Sequence, residues 1–385
     1  MIAELVSWIE VVVVFLAQGI GLFVVASLAF DGVHWLLHVC LRSRWPLLRK
    51  LAWPHQVHHD FLDRELVFHD DRVRDNLLWH VLPEYTTQVA VCLAGLMVLP
   101  LEPVATAILF FSGALAIAIA TRGKDGNHVA FTTVPPTHDP VFIRPPYHAL
   151  HHVYPDAYYG SYTTLFDRLM GTACQLRGKR IAMTGASGAF GKPLKRLLER
   201  RGAEVVALKF GVDFDYGDYA RCDARLAEAD ILVLCHGSKC EHAMAANCDS
   251  FVALVERYKL LARGRRLPAE VWAVGSEIEL HPTFGNAELV PYRDSKRAFA
   301  RHAARLLRDP QIVYRHIVPS SFRSPMGPGL MSGAAAARGA LFLIERGFHY
   351  VPVTYTGIAL LNYLKLVFLP ATAASTTAAH PARSV

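Results

Sequence analysis

Long apolar stretches fill the first third of the chain and are interrupted by short polar segments. Residues 11–30 form an apolar run of 20 residues broken at Gln18, which is the length that a helix needs to cross a bilayer. Two further apolar runs, 83–99 and 104–120, are joined by a short segment that holds two prolines and no cation. Because each is short for a full span, they indicate a thin or re-entrant helical hairpin. The pattern predicts an all-α membrane domain.

From about residue 178 onward the pattern changes to short apolar strands that alternate with helical segments. This alternation predicts a C-terminal α/β domain of the Rossmann type, with a doubly wound parallel sheet. A last apolar helix, predicted from Gly357 to Leu369, either lies in the membrane interface or packs on the sheet. We therefore divide the chain into a membrane domain at 1–175, a nucleotide-binding domain at 178–370 and a tail at 371–385 that we expect to be disordered.

Charge and cysteine content agree with an intracellular membrane protein. The formal net charge is +7, and the arginines and lysines cluster after the first and third apolar runs, so the positive-inside rule places both loops in the cytoplasm. We interpret the positive charge as a source of attraction to anionic lipid head groups. Nucleic-acid binding is the weaker interpretation, because the sequence shows no basic face interleaved with aromatic residues. Seven cysteines without a C-x-x-C pair suit a reducing compartment. The first run continues directly into a histidine-rich segment without a cleavage site, which argues against a signal peptide.

Histidines supply the clearest chemical pattern in the chain. Twelve of the 19 histidines precede residue 172, and eight of them occur at helical ligand spacing, where positions i, i+3 and i+4 share one face. Eight imidazoles are too many for one ion, so the pattern predicts two metal ions, with two irons as the first choice. The three clusters are His34-x-x-x-His38, His55-x-x-His58-His59 and His148-x-x-His151-His152.

The order of these clusters among apolar spans, with the closing segment Tyr159 to Thr172, resembles the fatty acid hydroxylase and sterol desaturase superfamily of membrane di-iron enzymes. The resemblance implies O2-dependent hydroxylation or desaturation of a fatty acyl, sterol or other isoprenoid lipid, and it adds His128 to the metal ligands. The other histidines of this region are expected to be partners of the ligands or structural residues. Three acids near the clusters are expected either to accept the second ring N–H of a ligand or to be solvated loop charges. They are Asp31, Asp60 and Asp156.

A glycine-rich turn opens the second domain. A short strand leads into the sequence Thr184-Gly185-Ala186-Ser187-Gly188-Ala189-Phe190-Gly191, and a helical segment follows. Glycines at such a turn let the backbone approach a pyrophosphate, which rests on the helix N-terminus. The cofactor-binding residues predicted in this turn are Thr184, Gly185, Ser187, Gly188 and Gly191. After the second strand, Lys209 favours NADPH weakly, and NAD remains an alternative.

Tyr292 and Lys296 lie one helical turn apart, so the lysine ammonium could lower the pKa of the phenol beside a substrate oxygen. With the glycine turn, this pair resembles the short-chain dehydrogenase/reductase family. The resemblance implies that Tyr292 is the acid/base and that Lys296 is its partner and a ribose contact. It also implies that Ser276 polarises the substrate oxygen and that Asn247 supports a proton-relay water. The family's Asn-Ala-Gly sequence is replaced by Cys-His-Gly, and a degenerate scaffold domain is the alternative.

Together these patterns predict a bifunctional membrane lipid oxidoreductase with a di-iron domain and an NAD(P)H-dependent alcohol/carbonyl domain. No flavin or iron–sulfur motif splits the nicotinamide electron pair, so a separate one-electron donor of the ferredoxin or cytochrome type is expected. Resemblance to bacterial desaturase/dehydrogenase fusions implies a multi-pass inner-membrane protein with both active sites cytoplasmic. The alternatives are a zinc-dependent membrane hydrolase and a non-catalytic lipid-binding protein whose nucleotide domain senses redox state.

Overall fold

A computed structural model of the protein describes residues 1–138, 141–239 and 242–368. The expected disordered tail at 371–385 lies outside these residues. In chain order the helices are α1 (Ile2–Leu41), α2 (Pro46–Phe61), α3 (Val73–Asn76), α4 (Leu82–Gly95), α5 (Leu101–Ala120), α6 (Pro145–Val153), α7 (Leu165–Met170), α8 (Gly191–Arg200), α9 (Asp223–Glu228), α10 (Ser250–Leu261), α11 (Val290–Leu306), α12 (Gly333–Glu345) and α13 (Ile358–Phe368). The strands are β1 (Arg180–Thr184), β2 (Glu204–Leu208), β3 (Ile231–Leu234), β4 (Ala269–Val274), β5 (Ile312–Pro319), β6 (Phe322–Arg323), β7 (Met331–Ser332) and β8 (Tyr350–Val353).

The first half is helical. The 40-residue helix α1 packs against the antiparallel pair α4 and α5, and the contact is filled by apolar side chains such as Leu22, Val104 and Phe111. Most apolar side chains of the first four turns of α1 remain exposed, as expected for a surface that faces lipid rather than water. By length and apolar composition, two helices of the described chain could cross a membrane, Glu4–Leu41 and Leu101–Ala120.

The second half is built on a parallel six-stranded sheet with the order β2-β1-β3-β4-β5-β8. The chain leaves β1 for β2 at one edge and then crosses back to β3 on the other side of β1. The direction of winding therefore reverses between β1 and β3, which is where open α/β sheets bind ligands. Apolar layers cover both faces, one between the sheet and α10 and α11, the other between the sheet and α8 and α12. The predicted doubly wound α/β fold is confirmed.

The two halves meet at the end of the sheet where the parallel strands begin. Lys179, just before β1, donates through Nζ to the Tyr154 hydroxyl at 2.6 Å, and the Val134 N–H donates to the Arg266 carbonyl at 2.8 Å. His138 Nε2 lies 3.1 Å from the Asp309 carbonyl, just before β5. The opposite end of the sheet, formed by the carboxyl ends of the strands, therefore faces away from the helical domain.

Candidate metal centre and dinucleotide site

Three helices and one loop carry the histidines of the first domain to a common place. The last two turns of α1, the second half of α2 and the last two turns of α6 each present one face of histidines, and His128 comes from the loop that precedes α6. The side chains separate into two groups, and within each group all ligand atoms lie within 4.8 Å of one another. The first group is His34, His38, His55, His59 and His151, and the second is His58, His128, His148 and His152. These are the nine histidines that the sequence predicts as metal ligands.

In each group the Nε2 atoms point at one another. His34 Nε2 lies 2.9 Å from His151 Nε2, and His148 Nε2 lies 3.0 Å from His128 Nε2. Adjacent ligands at about 2.1 Å from one metal ion are roughly 3.0 Å apart in an octahedral arrangement. Two imidazole nitrogens this close need a shared proton or a shared cation between them, and the donor sets therefore fit two metal ions held mainly by imidazole.

The other ring nitrogen of most of these histidines is held by a hydrogen-bond acceptor, which directs the Nε2 lone pair into the group. Backbone carbonyl groups accept from Nδ1 of His34, His151 and His152 at 2.9, 2.8 and 2.7 Å. The two remaining acceptors are side chains. Asn76 Oδ1 lies 3.0 Å from Nδ1 of His58, and Asp125 Oδ1 lies 2.9 Å from Nδ1 of His128.

None of the three acids accepts from a ligand ring, so the first of the two expectations for them is wrong, whereas Asp60 is exposed as the alternative of a solvated charge predicts. Asp31 accepts the Ser161 backbone N–H at 2.9 Å, Asp60 accepts from the Gln56 amide at 3.1 Å, and Asp156 pairs with Arg42. Three of the five acceptors, on Tyr159, Leu62 and Asn76, lie on segments remote in sequence, which spacing cannot indicate. The other two are local, because Ala157 follows His151 by six residues and Asp125 stands three residues before His128. Asp125 could have been proposed from that spacing.

Burial keeps the imidazoles in the neutral form that binds a metal. It lowers the pKa of His151 to about 4, and it lowers the pKa of His58 and His152 well below the usual value, with neighbouring imidazoles adding to the effect. His80 stays outside both groups and stacks on the His58 ring at a centroid distance of 3.7 Å. Of the other two histidines of the domain, His69 pairs with Asp63 at 2.9 Å.

In the second domain the glycine turn links β1 to α8 at the point where the winding reverses. Gly185 has a φ of +64°, and a Cβ there would lie 2.5 Å from the Cys235 carbonyl oxygen. A Cβ at Gly191 would lie 2.0 Å from the Gly185 oxygen. Ser187 and Gly188 are exposed at the tip of the turn, in front of the α8 N-terminus. This cradle fits a dinucleotide pyrophosphate.

Two other predicted cofactor residues have different surroundings. The Thr184 side chain is fully buried, and its hydroxyl bonds Cys235 N at 3.2 Å and His236 Nδ1 at 2.8 Å. It therefore stabilises the turn from behind instead of facing the crevice. Lys209 is exposed at the end of β2, and its backbone N–H donates to Asp213 at 2.8 Å. Its preference for NADPH stays a prediction.

Three of the four predicted catalytic residues, Ser276, Tyr292 and Lys296, line the crevice beyond β4. Tyr292 and Lys296 lie on α11, and Lys296 Nζ donates to the Val274 carbonyl at 2.8 Å. Burial lowers the pKa of Lys296 to about 8. Burial raises the pKa of Tyr292, so the expected lowering by the ammonium is not seen.

Asn247 occupies a π-helical turn before α10 and is fully buried. Its amide accepts from Ser238 N at 3.0 Å and donates to the Ser238 carbonyl at 2.7 Å and to the Ser295 hydroxyl at 2.9 Å. The side chain thereby fixes the segment after β3 against α11. Sequence reasoning missed a buried pair behind this site, in which His316 Nε2 lies 2.9 Å from Glu279, whose carboxylate also accepts the Ser276 N–H at 3.3 Å.

The two sites lie at opposite ends of the sheet. The histidine groups belong to the domain that contacts the beginnings of the strands, whereas the glycine turn, Ser276 and Tyr292 lie beyond their ends. The strand β5 alone has eight residues, which corresponds to roughly 26 Å at about 3.3 Å per residue. A substrate group cannot contact both sites at once, and a hydride cannot pass directly between them.

Comparison with known proteins finds similarity in both parts of the chain. Residues 21–172 match the family model described as fatty acid hydroxylase. A monoglucosyldiacylglycerol epimerase from Synechocystis sp. is 27% identical over 395 residues, covering 90% of this chain and 94% of that protein. Among solved structures, a short-chain dehydrogenase from Burkholderia cenocepacia in complex with NADP matches with 16% identity and a TM-score of 0.42, covering 50% of this chain and 95% of that chain.

A 3-α-hydroxysteroid dehydrogenase from Pseudomonas sp. B-0831 complexed with NADH also matches, with 18% identity and a TM-score of 0.38, covering 50% of this chain and 99% of that chain. The resemblance of the first half drawn from its histidine clusters is confirmed by the family model, and the expectation of an enzyme that catalyses oxidation or reduction is confirmed with it. Residues 21–172 thus match the fatty acid hydroxylase family model, and the protein is an oxidoreductase.

Proposed function

We propose that this protein is a membrane lipid oxidoreductase with two separate catalytic sites. The histidine domain oxidises a lipid carbon at two iron ions, by hydroxylation or desaturation, and the nucleotide domain interconverts an alcohol and a carbonyl with NADPH or NAD. The observation that carries the proposal is the convergence of nine imidazoles in two groups at the end of a helix long enough to cross a bilayer.

In the first site the protein's own groups prepare the ligands and place them near lipid. Carbonyl oxygens, Asn76 and Asp125 orient five of the imidazoles, and burial favours the neutral form of His58, His151 and His152. Iron bound by such ligands supplies the activation of dioxygen that breaking an unactivated C–H bond requires, which zinc cannot supply. Because the histidines of α1 follow its apolar run directly, the site lies close to the membrane surface, where lipid is the available substrate.

In the second site the residues of the crevice hold and move a proton at the substrate oxygen. The Tyr292 hydroxyl donates to a carbonyl oxygen or accepts from an alcohol, and Ser276 keeps that oxygen beside the phenol. A nicotinamide in the crevice supplies or accepts the hydride. The buried Lys296 stabilises the phenolate form when the tyrosine has given up its proton. The nucleotide cofactor thus serves this site, and a ferredoxin or cytochrome serves the irons.

The alignment with the Synechocystis epimerase over both domains favours a second candidate function for the nucleotide site. If a hydride leaves one carbon of a sugar head group and returns to its other face, the configuration inverts without net oxidation. Tyr292 would take and return the hydroxyl proton in the two directions. The substrate would then be a glycosyl-diacylglycerol, and the nucleotide site would change the stereochemistry of its sugar.

We propose a multi-pass arrangement in the bacterial inner membrane with both sites cytoplasmic. Support comes from the arginines and lysines that follow α1 and α5 and from the position of all nine histidines at the same end of the helical bundle. Alkaline phosphatase and green fluorescent protein fusions after residue 44 and after residue 124 test it, because both fusions should report a cytoplasmic location. A periplasmic location of either loop would overturn the topology.

The central test measures metal and oxygen in the purified full chain. We expect about two irons per chain and oxygen consumption with a chemical reductant. His58→Ala should abolish oxygen consumption, whereas His69→Ala, an exposed histidine of the same domain, should not. Tyr292→Phe should leave oxygen chemistry intact and should lower alcohol/carbonyl turnover by about 10²- to 10⁴-fold. Zinc in place of iron, with turnover indifferent to oxygen, would refute the first site and favour a hydrolase.

A test of the second candidate uses vesicles that contain a single monoglucosyl-diacylglycerol. Sugar analysis after incubation with NAD should show a second hexose if the head group is epimerised. Tyr292→Phe should prevent its appearance, and Tyr355→Phe serves as a control tyrosine outside the α11 pair. Unchanged sugar composition with the wild-type protein would exclude epimerisation of this lipid.

A further inference from the structure

A pocket with an unusually polar wall adjoins the two histidine groups. It reaches His34 of the first group and both His128 and His148 of the second. Aromatic and aliphatic residues of α1, α4 and α5 form one side. The other side is polar and is formed by Glu84, Gln88, Asp125, Asn127, Ser161 and Tyr162. A site that receives only a hydrocarbon chain has no use for these groups.

Glu84 is the most informative member of this wall. One carboxylate oxygen accepts from the Gln88 amide at 3.0 Å. The other oxygen is 3.9 Å from His80 Nε2, beyond hydrogen-bond distance, and the side chain is 21% exposed, toward the pocket. Holding a carboxylate between apolar helices is costly unless donors satisfy it, and a bound molecule with hydroxyl groups would provide them.

The pocket also discriminates by charge. The described residues that surround it include two carboxylates, Glu84 and Asp125, but no lysine or arginine. A phosphate head group would find no lysine or arginine side chain in the pocket to pair with. Neutral hydroxyl groups, by contrast, donate well to carboxylate and amide oxygens.

An apolar groove continues from this pocket along the lipid-facing side of the bundle. It lies between α1 and α5 and is lined by Phe15, Leu16, Ile20, Phe23 and Phe110. From Phe15 to Phe23 it follows α1 for about 12 Å at about 1.5 Å per residue. Asn127 and Tyr162 line both the groove and the polar pocket, so the two spaces meet at these side chains.

We infer that the helical domain binds a diacylglycerol lipid with an uncharged sugar head group. An acyl chain occupies the groove, the sugar occupies the polar pocket, and the chain-to-head-group junction passes between Asn127 and Tyr162. The inference rests on the proposed function for its view of the histidine groups as the reactive centre. It deepens that function, because the part of the lipid presented to the histidines is the sugar or glycerol region and not the middle of an acyl chain.

Gly19 and Gly21 offer a matched pair of substitutions for the groove. A Cβ at either position meets no heavy atom within 4 Å, so a larger side chain fits at both without moving the backbone. Only Gly19 lines the groove. Gly19→Leu therefore fills the groove, whereas Gly21→Leu adds the same side chain to the same helix outside it. For the pocket, Glu84→Gln removes the charge at nearly constant shape, and Glu102→Gln, at the exposed start of α5, is its control.

The experiment measures equilibrium binding of monoglucosyl-diacylglycerol, diacylglycerol and phosphatidylglycerol to the purified full chain in detergent, together with metal content. The wild-type protein should bind the glucosyl lipid at least about tenfold more tightly than either other lipid, and Glu84→Gln should reduce that preference about tenfold. Glu102→Gln should not change it. Gly19→Leu should weaken binding of the glucosyl lipid and of diacylglycerol alike, and Gly21→Leu should weaken neither.

Equal affinity for the glucosyl lipid and diacylglycerol would overturn the inference, as would equal effects of the two glycine substitutions. Metal content distinguishes a failure of this inference from a failure of the proposed function. A chain that holds no iron but keeps its sugar preference would refute the di-iron proposal and leave the binding site intact. A chain that holds two irons but shows no sugar preference would do the reverse. Loss of metal in Glu84→Gln would mark that variant as misfolded, and the glycine pair would then decide.

Discussion

Replacing Asn76 tests the logic of the histidine groups without removing a ligand. The Asn76 carbonyl oxygen lies 3.0 Å from His58 Nδ1, and both side chains are fully buried. This contact fixes which ring nitrogen of His58 carries the proton and therefore which nitrogen faces the metal. Asn76→Leu keeps the approximate volume and removes the acceptor, so the four-histidine group should bind metal more weakly while the five-histidine group is unaffected.

The expected size of the effect follows from this single hydrogen bond. Loss of an outer partner of a metal-bound histidine typically costs a factor of about 10–100 in metal affinity, or about 1.4–2.8 kcal/mol. Asn76→Asp makes a useful counterpart. The Asn76 amide nitrogen is buried and has no hydrogen-bond partner among the described residues, so a carboxylate there loses no contact and keeps the acceptor for His58. We expect this variant to retain or increase the metal affinity.

The assay is a chelator titration of the purified full chain in detergent, with iron retained per chain measured at each chelator concentration. The wild-type protein should lose its two irons within a narrow range of chelator. Asn76→Leu should show two steps, with one iron released at about 10- to 100-fold lower chelator. If Asn76→Leu releases both irons together, or if Asn76→Asp behaves like Asn76→Leu, the assignment of Asn76 as the partner of His58 is wrong.

Three further predictions concern the nucleotide domain. Burial lowers the pKa of His236 and of His349 to about 3, so between pH 6.5 and 3 only the unfolded chain takes up these protons. The free energy of unfolding measured by hydrogen exchange should therefore be unchanged above pH 7 and should fall below pH 6.5 by about 1.4 kcal/mol per pH unit for each histidine. The fall should be less steep in His236→Gln. Gly191→Ala places a methyl group 2.0 Å from a backbone oxygen and should weaken NADPH binding by about 1–3 kcal/mol in calorimetric titration, whereas unchanged binding would remove this turn from the cofactor site. Glu270→Ala leaves the buried Arg315 without its ion-pair partner and should destabilise the domain by about 3–5 kcal/mol in urea unfolding, and a second change, Arg315→Met, should restore much of that loss.

The histidine groups show how far local spacing can lead. The spacing within α1, α2 and α6 places each set of imidazoles on one helix face, so the eight clustered ligands were predictable from sequence, and family resemblance added His128. Their assignment to two groups was not, because α2 divides its histidines: His55 and His59 join the first group and His58 joins the second. That division depends on how the helices cross, which no spacing within one helix records.

Three of the five partners of these histidines, and the shape of the adjoining pocket, were decided by tertiary contacts. Asn76 and Glu84 come from the helical segment that packs beside the histidines, and nothing in their local sequence distinguishes them from surface residues. The acids predicted as partners were chosen for proximity along the chain. Proximity in sequence failed because the chain leaves each helix in a direction set by packing. Asp60 points to the surface, and the Asn76 side chain, 18 residues from His58, takes the place expected of it.

For the nucleotide domain, the sequence determined the sheet, the glycine turn and the pairing of Tyr292 with Lys296, because each depends on the period of a strand or helix or on the φ freedom of glycine. Only the tertiary structure decided that this crevice faces away from the histidines. The carboxyl ends of parallel strands all lie at one end of the sheet, and the helical domain contacts the other end. Which end is covered depends on complementary surfaces that form only after both domains fold, so the pattern of residues along the chain does not predict this contact.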